Sequence, residues 1–212
     1  MSGARLPDGQ ELTGRYVRLQ PLTEADLPEV GLLLADPGIY ADGYVMHRRP
    51  SSADDSVLLA RERFLGGQGR LDGSGGGRMA YAVRLVGGSA LGRRGELVGT
   101  TSLLEPHVLN ESIHVGSTLY GRRWWGSQVN PECKLLLLQH CFEECGYGRV
   151  KIQTDALNTR SQSAIARLGA VREGVLRRDM RREDGTFRDT VVFSVLRDEW
   201  PTVKARLESR LD

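Results

Sequence analysis

Trp124-Trp125-Gly126-Ser127-Gln128-Val129-Asn130-Pro131-Glu132 is a tight polar loop that runs into an apolar helix. Proline is tolerated at the first helical position because the N–H it lacks would have had no acceptor inside the helix. The sequence therefore starts the helix at Pro131, with Asn130 as its cap. From there to Glu144, Leu135, Leu136, Leu137, Leu138, Cys141 and Phe142 cover much of the circumference, the pattern of a helix buried against a sheet. A loop feeding such a helix offers orphan N–H groups and the positive end of the helix dipole, and both suit an anion. Trp125, Gly126, Ser127, Gln128, Val129 and Asn130 are the residues that would hold it.

On the N-terminal side, Tyr16-Val17-Arg18-Leu19 reads as a strand, and Thr23 followed by Asp26 opens a helix with Leu27, Val30, Leu33 and Leu34 on one face. A second helix is expected from Ala53 to Leu65, after a loop from Gly38 to Pro50 that carries Tyr40, Tyr44 and His47. The run from Gly66 to Gly77 is too rich in glycine to build a core. Strands follow at Met79–Val86, Leu97–Leu104 and Ser112–Leu119, an antiparallel meander. The buried helix then lies between the Ser112 strand and one at Val150, which requires a parallel, right-handed crossover. A helix from Arg160 to Leu168 precedes a hairpin from Val175 to Leu196, with a two-residue turn at Asp184-Gly185. No internal repeat and no second domain is found. The expectation is one α/β domain over residues 1–212, its core at about 14–200, with a mixed, mostly antiparallel sheet flanked by helices.

Of the 212 residues, 40% are apolar and 26% charged, as in ordinary globular proteins. A net charge of +2 with scattered basic residues argues against nucleic acid as a main partner. No apolar stretch has membrane-spanning length, and the N-terminus lacks the plan of a secretory signal, so the cytoplasm is the simplest address. Cys133, Cys141 and Cys145 are odd in number and share one helix, which argues against a disulfide framework. His140 is expected to point away from Cys141 and Cys145, so no metal site is expected.

Five further segments follow the loop in order: Val150-Lys151-Ile152-Gln153-Thr154, Asn158-Thr159-Arg160-Ser161, Leu168-Gly169-Ala170, Glu173 to Arg177, and Phe193 to Leu196 with Glu199-Trp200. With these, the chain resembles the GNAT acetyltransferases, in particular the RimJ/RimL-type ribosomal-protein N-acetyltransferases. The resemblance covers most of the chain and rests on order and spacing. It implies an acetyl-CoA-dependent N-acetyltransferase that modifies a primary amine, either a protein N-terminus or a small molecule, with no metal, no membrane and a homodimer left open. A catalytically weak acyl-CoA-binding regulatory protein is the rival reading.

In that family the diphosphate of CoA lies on a loop of pattern Gln/Arg-x-x-Gly-x-Gly/Ala. The matched positions here are Trp125, Gln128 and Asn130, so both glycines are replaced; asparagine tolerates the left-handed conformation, and Gly126 adds slack nearby. The resemblance also sets Asn158 against the pantetheine and Ser161 near the thioester sulfur, where its hydroxyl would hand a proton to the departing thiolate. Many relatives use a tyrosine four residues beyond the serine position, which is Ile165 here. The family's strand glutamate falls at His114, a base that is mostly unprotonated at neutral pH because its ordinary pKa is about 6.5. Glu105 and Glu111 are the carboxylates in reserve, acting through water. The resemblance also implies that the Ser112 and Val150 strands open apart, exposing main-chain N–H groups that polarise the thioester carbonyl, with Gly116 or Ser117 close to that opening. Tyr40, Tyr44 and His47 are the expected wall of the acceptor groove. The arginines Arg177, Arg178, Arg181 and Arg182 are expected to alternate along a strand.

Overall fold

The computed structural model describes residues 3–40, 48–88 and 90–211. Strands β1 (Leu12–Thr13) and β2 (Val17–Pro21) lead to α1 (Leu27–Ala35) and α2 (Ala53–Ala60), the latter extended by one wide turn through Arg61–Leu65. Then come β3 (Arg78–Leu85), β4 (Leu97–His107), β5 (Ser112–Tyr120), α3 (Val129–Gln139), β6 (Arg149–Asp155), α4 (Thr159–Leu168), β7 (Val171–Arg181), β8 (Phe187–Leu196) and α5 (Trp200–Glu208). They form one α/β domain whose single sheet has the order β1-β2-β3-β4-β5-β6-β8-β7. Every neighbouring pair is antiparallel except β5 and β6, which α3 connects.

Strand alternation sends successive side chains to opposite faces. Ala80, Ala82 and Leu119 pack with Leu27, Val30, Leu34, Leu59 and Phe64, so α1 and α2 cover one face. Tyr81, Val83, Ile113, Val115, Val150 and Ile152 pack with Val129, Cys133, Leu137, Trp200 and Val203, so α3 and α5 cover the other. The start of α1 is held by the Asp26 carboxylate, which accepts from the N–H and hydroxyl of Thr23 at 2.9 and 2.8 Å.

Five local expectations change. The helix starts at Val129, not Pro131, and Gln128 at its cap position makes no side-chain capping bond. Proline is as acceptable at the third helical position as at the first, because all of the first four N–H groups lack an intrahelical acceptor. The left-handed residue of the loop is Gly126 (φ 78°), and Asn130 lies inside the first helical turn. After Gln139 the helix widens into a turn over His140–Glu144, with Cys145 N–H donating to His140 O at 2.8 Å. That five-residue step brings Cys145 Sγ to 3.4 Å from His140 Nε2, so His140 faces Cys145 rather than pointing away from it. Among the described residues no group of three or more His, Cys, Asp or Glu is arranged to hold a metal.

The β7–β8 loop has three residues, not two: Arg182 N–H donates to Thr186 O at 2.8 Å and Gly185 (φ 86°) N–H to Arg182 O at 3.0 Å. A turn followed by a left-handed glycine is the usual three-residue hairpin. The arginine alternation on β7 is also broken. The register with β8 shifts between Leu176 and Met180, and Arg178 takes φ 52°.

Candidate active site

Parallel pairing of β5 with β6 stops early: only Ser112, Ile113 and His114 face Arg149, Val150 and Lys151. Between the Ser102–Gly116 and Thr100–Leu119 pairs, β5 spends one residue more than β4, and Ser117 takes φ 48°. An extra residue of this kind bends its strand and re-aims its side chains. Here it opens β5 away from β6, and a cavity of about 590 Å³ passes through the gap. Its lining includes Gly116, Ser117 and Thr118 of the bulge and Ile152 to Asp155 of β6.

On the α1/α2 face, the cavity reaches Glu62, Arg63, Arg78, Glu105 and His114. His114 is 4% exposed, and neither ring nitrogen has a hydrogen-bond partner. Its Nδ1 stands 3.6 Å from Glu105 Oε2, an electrostatic contact too long for a hydrogen bond. Lys151 Nζ donates to the same Oε2 at 2.6 Å. Burial pushes the His114 pKa below its ordinary value despite that neighbour, so the ring is neutral at pH 7. With His114 and Lys151 beside it, the Glu105 carboxyl is held down to about 2. Glu105 owes its position to an irregular stretch at the end of β4, where its own φ is 51°. The ring of His114 lies over Gly116, where any Cβ would come within 2.5 Å of Nε2.

On the α3 face, the loop Trp124–Asn130 closes one end. Trp125, Gly126, Ser127 and Asn130 line the cavity; Gln128 and Val129 do not, and Val129 is fully buried in the core. Ser127 is busy locally, its hydroxyl donating to Trp124 O at 2.6 Å and accepting from Val129 N–H at 3.3 Å. Gly126 has nothing within 4 Å of where a Cβ would stand, so a ligand can come close to the main chain there. The guanidinium of Arg160 lies 3.8 Å over the ring of Trp125 and joins the start of α4 to the loop. Asn158 is the cap of α4, its Oδ1 accepting from Ser161 N–H at 2.9 Å. Ser161 thus gives its main-chain N–H to the cap, and it lines the cavity with Ile165.

The acceptor-wall residues are not gathered in this way. Tyr40 donates its hydroxyl to Leu34 O at 2.9 Å, packs with the α1/α2 core and is absent from the cavity lining. Tyr44 and His47 lie outside the described residues. Glu62, Arg63, Arg78, Met180 and Arg188, none of them chosen from sequence, line the cavity instead.

The model of the acetyltransferase (GNAT) domain matches residues 17–171. The chain belongs to the GNAT acetyltransferase family. A solved structure described as an acetyltransferase shares 39% identity over 98% of this chain and 96% of its own, with a TM-score of 0.79. Another, from T. thermophilus, shares 38% over 98% of this chain and all of its own, with a TM-score of 0.80. Mycobacterium smegmatis RimJ, solved in complex with CoA-disulfide, has the same fold (TM-score 0.71, covering 95% of each chain) at 18% identity. No curated protein matches the chain. GNAT membership carries acetyl transfer from acetyl-CoA as the general activity. Lys134, on the same cavity, was also missed by sequence reasoning. The signal was there: a lysine at a core-facing position between Cys133 and Leu135.

Proposed function

We propose that this GNAT protein is an N-acetyltransferase in which a primary amine attacks the thioester of acetyl-CoA directly, the acceptor being a protein N-terminus or a small-molecule amine. The observation that carries the reading is the gap between β5 and β6, which lets one cavity reach His114 on one face of the sheet and Ser161 on the other. Acetyl-CoA supplies the activated acyl carbon. The loop from Trp125 to Asn130 takes its diphosphate, with Gln128 and Val129 contributing main chain only, and Arg160 adds positive charge at the cavity mouth. Asn158 positions the pantetheine. Bulge N–H groups at Gly116 to Thr118 polarise the thioester carbonyl. His114 removes the proton of the attacking amine as the C–N bond forms, and the Ser161 hydroxyl protonates sulfur as the C–S bond breaks.

A RimJ-like acceptor is proposed by analogy with M. smegmatis RimJ, which shares the fold and is solved in complex with CoA-disulfide. No helix among the described residues is long and apolar enough to cross a membrane, and the three buried cysteines are unpaired, which fits a cytoplasmic setting.

The test is thiol release from acetyl-CoA across peptides with free N-termini and small amines, with CoA affinity measured by calorimetry alongside. Burial lowers the His114 pKa, so the limb of the pH–rate profile that belongs to His114 should lie below the ordinary histidine value of about 6.5, and His114→Gln should remove that limb while leaving CoA affinity within threefold. An unchanged pH profile in the variant removes His114 from the role of base. No affinity for CoA at millimolar concentration sinks the whole reading.

A further inference from the structure

Lys134 is a cavity residue to which the proposed reaction gives no role. It sits in the second turn of α3, is 5% exposed and lines the cavity on the α3 face. Its ammonium meets one protein oxygen, Thr118 Oγ1 at 3.3 Å. Among the described residues no carboxylate pairs with it; the nearby Glu132 is taken up by three main-chain N–H groups of Arg15, Tyr16 and Val17. Burial draws its pKa down to about 8, so the ammonium form is still abundant at neutral pH. A buried cation with no counter-charge is costly to the fold, whereas a leucine there would cost nothing. Its burial makes sense if a ligand brings the anion.

Three parts of the bound reactants could do so. The diphosphate is too far along the helix: Lys134 lies five residues beyond Val129, about 7.5 Å at 1.5 Å per residue, and Thr118 holds its tip toward the bulge. The acceptor amine meets His114 on the opposite face and would be repelled by a second cation. What remains beside Thr118 is the acyl end of the thioester. An acetyl methyl there would leave the ammonium unpaired, while a carboxylate would pair with it through a charge-assisted hydrogen bond.

We propose that Lys134 selects acyl groups ending in a carboxylate, so that the preferred donor is a dicarboxylic monoacyl-CoA whose distal carboxylate pairs with the Lys134 ammonium beside the Thr118 hydroxyl. The inference rests on reading the cavity as the acyl-CoA site. The bonds exchanged are the same: the amine nitrogen joins the thioester carbonyl carbon, the C–S bond breaks, CoA leaves as the thiol, and the distal carboxylate passes unchanged into the product amide.

Calorimetry with CoA, acetyl-CoA and succinyl-CoA tests this without knowledge of the acceptor. The wild-type protein should bind succinyl-CoA at least tenfold more tightly than acetyl-CoA. In Lys134→Met, an apolar replacement of similar length, the two should agree within threefold while CoA itself binds as before. Equal wild-type affinities, or a preference that survives in the variant, would overturn the inference and leave acetyl transfer standing. Failure of CoA to bind would overturn the reading of the site as well.

Discussion

Gly116 limits where the ring of His114, the proposed base, can lie. A methyl group there would stand 2.5 Å from His114 Nε2 and 2.9 Å from Cε1, inside any allowed contact. The ring cannot slide along the strand, because Glu105 stands at its other edge. Gly116→Ala should therefore turn the imidazole out of the cavity. Single-turnover transfer should fall at least tenfold, with CoA affinity within threefold of the parent, since the added methyl points to the acceptor face. If chemistry is unaffected, the ring has a second productive position and its orientation over Gly116 is incidental. Residues of this kind were only partly legible. His114 and Gly116 were chosen from a family pattern, but Glu105 was placed in reserve through water, and its direct approach to His114 depends on a left-handed residue that no glycine announces.

At the scale of elements, α3 is fixed to the sheet by Glu132. Its carboxylate accepts from the N–H groups of Arg15, Tyr16 and Val17, each at 2.7 Å, and Gly14 leaves room because any Cβ there would come within 2.4 Å of the Glu132 carboxyl carbon. The start of β2 is thereby tied to the first turn of α3, whose Asn130 and Pro131 line the cavity. Bonds to a charged acceptor contribute roughly 1.5–3 kcal/mol each, and an amide in place of the carboxylate would aim a donor at donors. Glu132→Gln should lose about 2–4 kcal/mol, seen as a lower urea midpoint with an unchanged slope. A loss under about 0.5 kcal/mol, the low end for a net hydrogen bond, would mean that water replaces the bonds at little cost. The pattern of apolar residues placed all the strands from β2 onward within a few residues, because alternation and helical periodicity report burial directly. It could not see the wide turn that brings His140 to Cys145 or the exact start of α3. Both depend on hydrogen-bond spacing that leaves no mark in hydrophobicity.

For the whole molecule, the gap between β5 and β6 is the weak seam of the sheet. N–H and C=O groups along the facing edges of these strands lose their ladder partners beyond His114 and Lys151, and a sheet so divided is held by the helices on its two faces. The sequence pattern implies the parallel crossover, and the family resemblance an opening of its two strands near Gly116 or Ser117, but neither gives the residues His114 and Lys151 at which the pairing ends. The bulge at Ser117 that ends it is built by an ordinary serine in a rare conformation, and the second half of the cavity lining, from Glu62 to Arg188, comes from segments far apart in the chain. If CoA occupies this seam, its pantetheine amides stand in for the missing ladder and the two halves of the sheet become one cooperative unit. Ligand at about 100 times its Kd should add about 2.7 kcal/mol and raise Tm by about 5–11 °C for a domain of this size. Amide exchange should slow at least tenfold on the inner edges of β5 from Val115 to Tyr120 and of β6 from Ile152 to Asp155, while β2 to β4 stay as they were. A Tm gain with protection confined to the α3 loop would place the nucleotide there and leave the seam empty, which would exclude it as the seat of the thioester.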